Sequence, residues 1–269
     1  MKRFLLLAAI AALIPAVSFG HLSAAQKTKI IIGATPVPHA EILEQVKPLL
    51  AKKGIELDVR VFTDYVVPNL ALADKSLDAN YFQHLPYLES FSKEKKLSLS
   101  SIAAVHFEPL GLYSKKIKSL KELKDGDTIA VPNDVTNEAR SLILLQDNGV
   151  LELKDASNLT STKNDIKSYK VKVKIVEVEA AQLTRSLSSV TAAVINGNYA
   201  LDAKLSPSKD AIVSEKASSA AAKRYANILV VRKGDEKRQE LAELVKALKS
   251  PEIRAFIEQK YKGTVIPAL

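Results

Sequence analysis

Strand-like and helix-like segments alternate along almost the whole chain, and this alternation limits the possible folds more than any other sequence feature. From Ile55 to Val61, every second residue is apolar, which is typical of a strand with one buried face. The segment His39–Lys53 has apolar residues at helical spacing and is followed by Gly54, a common helix stop. Repetition of such units predicts an α/β protein with mostly parallel sheets.

Two extended segments, 101–114 and 225–232, depart from this regular pattern. The first is longer than an average strand and contains Pro109, which indicates that the chain leaves one sheet and enters another. A complete series of α/β units lies between the two segments. The sequence therefore predicts two α/β lobes joined by two crossing strands. Residues 26–108 and 232–269 are assigned to the first lobe, and residues 109–231 to the second.

The first 25 residues have the features of a secretory signal peptide. Lys2 and Arg3 precede an apolar run, Phe4–Val17, and a small-residue site follows at residues 23–25, Ser-Ala-Ala. The run is shorter than the ~20 apolar residues of a membrane-spanning helix. We therefore predict cleavage after Ala25 and export to the periplasm. The sequence has no cysteine, which excludes disulfides and a lipid-modified cysteine, so a hydrophobic core must hold the fold.

The positive charge of the chain is spread over its surface. The formal net charge is +9, but lysines such as Lys170, Lys172 and Lys174 alternate with valines along one predicted strand. Nucleic-acid-binding surfaces instead combine clustered arginines with stacking aromatic residues. We therefore expect no nucleic-acid partner.

Two polar segments follow predicted strands and are candidates for ligand binding. Segment 133–140, NDVTNEAR, opens a helix, where free N–H groups and the helix dipole favour an anion. Arg140 lies one turn inside and can bind a carboxylate through two hydrogen bonds. Asn196 ends an apolar strand and offers an acceptor and donors, which suits an ammonium group. The structural alternative for segment 133–140 is a helix cap with a surface arginine, and the alternative for Asn196 is an ordinary turn.

Aromatic residues cluster around a third strand-to-helix junction. Phe82 and His84 alternate along an extended backbone, so both can point to one face. Together with Tyr65 and Tyr87 they can enclose an aliphatic or thioether side chain. The alternative is that these rings belong to the core, which we expect of Tyr81.

Motifs for catalysis are missing from the sequence. There is no GxSxG, no HExxH and no cysteine, so we expect a non-enzymatic protein without a cofactor. His39, His84, His106 and Glu108 could be combined into a metal site, but they lack the tight spacing of zinc motifs. We therefore predict no metal site.

At these segments the chain resembles the MetQ/NlpA family of methionine-binding substrate proteins of ABC importers. The resemblance implies a two-lobed periplasmic binding protein fold of the type II kind, with the ligand in the cleft between the lobes. It covers nearly the whole mature sequence, in the segments FTDYVVPNLALADKSLDANYFQHLPYL, VHFEPLGLYSKKIKSLKELKDGDTIAVPNDVTNEAR, VEVEAAQLTRSL, AVINGNYALDA, YANILVVRKGDE and KYKGTVIPAL.

The resemblance also implies residue roles. Arg140 corresponds to the arginine that holds the ligand carboxylate, and Asn137 and Asn196 to asparagines that contact the polar end of the ligand. The residues expected to surround its side chain are Tyr65, Phe82, His84 and Tyr87. The chain departs from the family pattern in having Ala139 in place of a glycine, Thr184 where proline is common, and no lipidated cysteine.

The resemblance therefore implies a periplasmic, monomeric binding protein that delivers L- or D-methionine to an ABC permease and its ATPase. Two alternatives stay open. One is the same fold binding another amino acid or a methionine-containing dipeptide. The other is a surface interaction protein that has lost transport.

Overall fold

The computed structural model describes residues 28–216 and 220–268, so the predicted signal peptide lies outside the described residues. The strands are β1 (Thr28–Ala34), β2 (Ile55–Val61), β3 (Ala79–His84), β4 (Leu99–Phe107), β5 (Gly111–Tyr113), β6 (Thr128–Pro132), β7 (Leu151–Leu153), β8 (Ile166–Tyr169), β9 (Lys174–Val178), β10 (Ala192–Ile195), β11 (Ala211–Ser214), β12 (Asn227–Arg232) and β13 (Ile266–Pro267).

The α-helices are α1 (Glu41–Ala51), α2 (Val67–Ala73), α3 (Leu85–Lys95), α4 (Val135–Asp147), α5 (Leu183–Ser186), α6 (Gly197–Asp202), α7 (Ala220–Arg224), α8 (Gln239–Leu248) and α9 (Pro251–Tyr261). A π-helical turn spans Pro36–Ala40, and 3₁₀ turns span Leu120–Glu122, Lys163–Asp165 and Ala180–Gln182. No helix of the described ranges combines the length and apolar character needed to cross a membrane.

The first lobe is built on a six-stranded sheet with the order β13-β4-β12-β3-β1-β2. Apolar residues of α1, α8 and α9 form one buried cluster with β1, among them Ile42, Leu241 and Ile253. In a second buried cluster of this lobe, Leu72 of α2 and Leu88 of α3 pack with Val230 of β12. In β2, Ile55 and Leu57 are buried and Glu56 is exposed, as the alternation predicts, but Val61 is 55 % exposed, so the buried face does not extend to the end of the strand.

The second lobe is built on a five-stranded sheet with the order β11-β5-β10-β6-β9. Leu142 and Leu145 of α4 pack on this sheet in one cluster, and Leu183 of α5 with Tyr199 of α6 belong to another. Strands β7 and β8 form a separate antiparallel pair. The two-lobed α/β fold predicted from the sequence is thus confirmed.

The crossings between the lobes correct two details of the prediction. Strand β4 ends in the six-stranded sheet and β5 begins in the five-stranded sheet, as the extended segment 101–114 indicated. Strand β12, however, pairs with β3 and β4 in the first lobe, so the chain returns before Asn227 and not at the predicted boundary between 231 and 232. Strand β12 runs antiparallel to both of its neighbours in the first sheet, and β5 runs antiparallel to β10 and β11 in the second. Both sheets are therefore mixed, and the expectation of mostly parallel sheets was wrong.

Candidate functional site

A cavity between the lobes collects side chains from both of them. Its empty space is about 340 Å³, counting its opening to solvent. Its walls include every residue predicted to contact a ligand: Tyr65, Phe82, His84, Tyr87, Asn137, Arg140 and Asn196. The structure therefore brings the predicted residues together, and their contact with a ligand stays a prediction.

Other residues, polar except for a glycine, line the same cavity without having been predicted to bind. They are Gln83, Glu108, Gly197, Asn198 and Asn227. Asn227 opens a strand whose next four residues are apolar, which is the same signal that identified Asn196 at a strand end. Glu108 lies in the first crossing between the lobes and was considered only as a metal ligand. Its position beside the cavity depends on the crossing geometry, which the local sequence does not show.

The start of α4 fixes the orientation of Asn137. Asp134 caps the helix by accepting from the Asn137 backbone N–H at 2.9 Å, as is common at helix N-termini. The same carboxylate accepts from the Asn137 side-chain nitrogen, at 3.0 and 2.9 Å to its two oxygens. Asn137 Oδ1 is left to accept from His84 and Asn196, at 3.1 and 2.9 Å. Asn137 thus connects the second lobe to the first.

His84 is held in one neutral tautomer by its neighbours. Its Nδ1 accepts from the Tyr87 backbone N–H at 3.2 Å, at the start of α3. The ring proton is therefore assigned to Nε2, which donates to Asn137 Oδ1. Burial, and then the positive charge of Arg140, lower the pKa of His84 to about 3. At neutral pH the ring lines the cavity without a charge.

The guanidinium of Arg140 lies in the wall of the cavity and is only 4 % exposed. Its Nε donates to Glu215 Oε1 at 2.9 Å. Its Nη2 donates to Glu215 Oε2 at 2.5 Å and to the Glu108 backbone carbonyl at 2.9 Å. The guanidinium carbon is 4.3 Å from the ring centroid of Tyr225 and 5.7 Å from that of Phe107. Arg140 is therefore fixed by several groups and does not point to bulk solvent.

Asn196 presents an unused acceptor at the cavity. It precedes α6, and its Nδ2 donates to Asn137 Oδ1 at 2.9 Å. The residue is only 6 % exposed. Its Oδ1 is buried and has no hydrogen-bond partner among the described residues. A buried acceptor without a partner costs about 1–3 kcal/mol. A ligand that brings an N–H group to this oxygen would remove that cost.

Aromatic rings form another wall of the cavity and join the lobes. The ring centroid of Tyr65 lies 5.9 Å from those of Phe82 and Tyr87 and 5.0 Å from that of Tyr199. The Tyr65 hydroxyl donates to Asn198 Oδ1 of the second lobe at 2.5 Å. Burial raises the pKa of Tyr65 well above its ordinary value, so this hydroxyl stays a neutral donor. Such a wall suits an apolar ligand group.

A buried polar cluster adjoins the cavity through Glu108. One oxygen and two nitrogens of Glu108, His39 and His106 lie within 4.8 Å of one another. His106 Nε2 is 2.6 Å from Glu108 Oε1, and His39 Nε2 is 3.4 Å from the same oxygen. The other ring nitrogens bond to the hydroxyl groups of Thr35 and Tyr81. The cluster is thus a connected hydrogen-bond network.

A metal ion could bind to this network only if several of its present hydrogen bonds were replaced by bonds to the metal. Burial lowers the pKa of His39 to about 4 and that of His106 to about 3, so both rings are neutral and could act as ligands. Each ring nitrogen, however, already has a partner within the described residues. His84 bonds to Asn137 and does not join the cluster. The absence of a metal site stays a prediction.

Glu138 of α4 is expected to make folding stability fall between about pH 4.5 and pH 7. The residue is 2 % exposed, and burial, with a further contribution from Glu177, raises its pKa from 4.5 to about 7. Between these values the folded protein keeps a proton that the unfolded chain has lost. Its stabilising effect is therefore complete below pH 4.5 and is lost as the pH rises through 7. Urea unfolding at pH 5 and pH 8 measures the change.

The contribution of Glu138 is isolated by comparison with Glu138→Gln. We expect the loss of stability from pH 5 to pH 8 to be smaller in this variant by about 2 kcal/mol. Glu252→Gln, at an exposed position of α9, should follow the wild type. Equal pH dependence of the wild type and Glu138→Gln would contradict the assignment.

Comparison with known proteins identifies the family of this chain. The family described as NlpA lipoprotein matches residues 30–269. The methionine-binding lipoprotein MetQ of Bacillus subtilis is 44 % identical over 246 residues, which are 90 % of this chain and 88 % of that protein. A crystal structure of a putative lipoprotein from Ruminococcus gnavus is 52 % identical, with a TM-score of 0.88, and covers 90 % of this chain and 100 % of its own.

A further structural relative is described with its ligand. It is a nutrient-binding protein from Burkholderia cenocepacia bound to methionine, 44 % identical to this chain with a TM-score of 0.85. The likeness covers 89 % of this chain and 100 % of the other. Family, sequence and fold agree over the same residues, so this chain belongs to the NlpA lipoprotein family.

Proposed function

We propose that this chain is the substrate-binding protein of an ABC importer and captures methionine in the cavity between its lobes. The relative from Burkholderia cenocepacia is described as bound to methionine, and the relative from Bacillus subtilis is named methionine-binding. The cavity in this chain is lined by polar and aromatic residues that suit the same kind of ligand. L- and D-methionine share all the groups used in the argument below.

One observation carries the proposal: the cavity combines a buried guanidinium with a buried acceptor that has no partner. Arg140 has its Nε and Nη2 engaged, which leaves Nη1 without an acceptor among the described residues. Asn196 Oδ1 is likewise free of partners there. A carboxylate at Nη1 and an ammonium at Oδ1 would satisfy both groups. A zwitterionic amino acid carries both of these groups on one carbon.

The aromatic wall then selects the side chain. Tyr65, Phe82 and Tyr87 enclose the space beside the polar groups, and sulfur–ring contacts contribute ~0.3–1.5 kcal/mol each. Micromolar binding requires about 8 kcal/mol. Methionine is so small that each of its non-hydrogen atoms must contribute about 1 kcal/mol of binding free energy, which is near the upper end of the range for small ligands. Nearly complete enclosure supplies this, so the lobes close around the ligand.

The remaining parts of the system follow from this role. The closed, loaded protein delivers its ligand to the permease and ATPase of the importer, as a monomer and without chemical change of the ligand. Residues 1–25 direct export to the periplasm, and the sequence contains no cysteine to carry a lipid. Mass measurement of the exported protein tests both the cleavage site and the lack of lipid.

The binding role is tested by thermal shift of the protein after denaturation, removal of bound ligand and refolding. Methionine at about 1,000 times its dissociation constant should stabilise the folded state by about 4 kcal/mol. This corresponds to an increase in Tm of roughly 8–16 °C for a chain of this size. Glycine, which has the same carboxylate and ammonium but no side chain, is the matched control and should give a much smaller shift.

Other outcomes would replace the proposal. A larger shift with another amino acid or with a methionine-containing dipeptide would assign that ligand to the same cavity. No shift with any amino acid or short peptide would favour a surface interaction protein that has lost transport.

A further inference from the structure

Glu215 is a charged neighbour of the cavity that the sequence did not indicate. It follows β11, and its carboxylate accepts from Arg140 Nε at 2.9 Å and from Arg140 Nη2 at 2.5 Å. This is the two-pronged geometry that carboxylates adopt on a guanidinium. The exposed side-chain fractions are 5 % for Arg140 and 9 % for Glu215, so the pair is nearly excluded from water. The ligand therefore meets an arginine whose charge is already balanced.

The position of Glu215 is built into the first crossing between the lobes. Its backbone N–H donates to the Leu110 carbonyl at 3.0 Å. Its Oε2 accepts from the Leu110 backbone N–H at 2.9 Å. Because β11 pairs with β5 directly after Leu110, the carboxylate is tied to the sheet. It is a fixed part of the site and not an exposed side chain that pairs by chance.

Among the described residues, no second lysine or arginine lines the cavity beside Arg140; Lys216 and Arg224 lie with Glu215 around an adjoining pocket. Burial lowers the pKa of His39, His84 and His106 to about 4, 3 and 3, so these rings are neutral. Burial opposes the charge of Arg140, but the attraction of Glu215, Tyr225 and Glu108 together raises the pKa of Arg140. Arg140 is thus charged at neutral pH.

We propose that Glu215 is a specificity-determining residue: by neutralising Arg140 it restricts the cavity to carboxylates that bring their own ammonium group. The inference rests on the proposed binding of an amino acid. A carboxylic acid without the amine adds a net negative charge to a site that has no net positive charge. A zwitterion adds none. The negative charge of Glu215 repels the ligand carboxylate and attracts the ligand ammonium, and the two effects oppose each other only in the zwitterion.

The test compares methionine with its 2-hydroxy analogue, which replaces the ammonium by a hydroxyl and keeps the rest of the molecule. Isothermal titration calorimetry gives both affinities for the wild type and for Glu215→Gln, which keeps the side-chain shape and removes the charge. The wild type should prefer methionine by at least about a hundredfold. In Glu215→Gln the hydroxy acid should bind more tightly, and the preference should fall by about tenfold or more.

A matched control uses Glu138→Gln, the same substitution at a buried position of α4 that does not line the cavity. It should keep the wild-type preference. A purely structural role of Glu215 predicts that both ligands lose affinity equally, so an unchanged preference in Glu215→Gln would overturn the proposal.

The wild type alone provides a second test if Glu215→Gln does not fold. Equal affinity of the wild type for methionine and the hydroxy acid overturns the specificity proposal and leaves amino-acid binding intact. Failure of the wild type to bind methionine at all overturns the proposed function as well.

Discussion

Arg140→Ala is expected to lower the affinity for methionine by at least about a hundredfold. The guanidinium is the cation that lines the cavity, and hydrogen bonds to charged groups contribute ~1.5–3 kcal/mol each. Loss of the hydrogen bonds from Nη1 to the ligand carboxylate therefore removes about 3 kcal/mol or more, which is about a hundredfold or more in affinity. Calorimetry with the ligand-free protein measures the change. Wild-type affinity in the variant would reject the proposed role of Arg140.

Loss of binding must be separated from loss of folding, because Arg140 also has a structural partner. Its removal leaves the buried Glu215 carboxylate without its ion-pair partner, which costs several kcal/mol, in the range of ~3–5. The double variant Arg140→Ala, Glu215→Gln removes that buried charge and should recover much of the lost stability. It should still fail to bind methionine. Arg185→Ala, at an exposed position of the second lobe, controls for loss of an arginine as such.

The fold could be predicted from the sequence where the signal is local. Alternation in β2 and helical spacing in α1 depend on residues close in the chain, and both elements formed as expected. The short pair β7 and β8 was missed because each strand is brief and irregular. The return point of the chain was placed too late, since Tyr225 to Arg232 reads as one extended segment. The partners of β12 are set by tertiary pairing with β3 and β4.

The site was predictable to the same extent. Arg140 and Asn196 stand at a helix start and a strand end, positions that favour ligand contacts in α/β folds. Glu215 is 75 residues from Arg140 in the chain, and no local pattern connects the two. The close approach of Gly197 to the Glu108 side chain likewise arises only when the two lobes meet. Long-range pairing decides the charge balance of the cavity, which local sequence patterns do not contain.

Gly197→Ala is expected to weaken methionine binding by at least about tenfold while the protein still folds. A Cβ at position 197 would lie 2.6 Å from Glu108 Cβ and 2.9 Å from Glu108 Oε2. Glu108 cannot turn away easily, because its Oε1 is held by His106 at 2.6 Å. The start of α6 must therefore move away from the crossing segment. Asn196 precedes Gly197 directly, so its free acceptor would be displaced from the cavity.

The variant thus tests whether close contact between α6 and the crossing segment is needed for binding. Calorimetry gives the affinity, and small-angle X-ray scattering with and without methionine reports on closure of the lobes. Ala203→Ser adds one heavy atom at an exposed position just after α6, and it should bind as the wild type does. Because a well-packed site tolerates an added methyl group poorly, unchanged affinity in Gly197→Ala would mean that the ligand does not require Asn196 and Glu108 in their observed positions. The proposed contact of the ligand ammonium with Asn196 would then have to be abandoned.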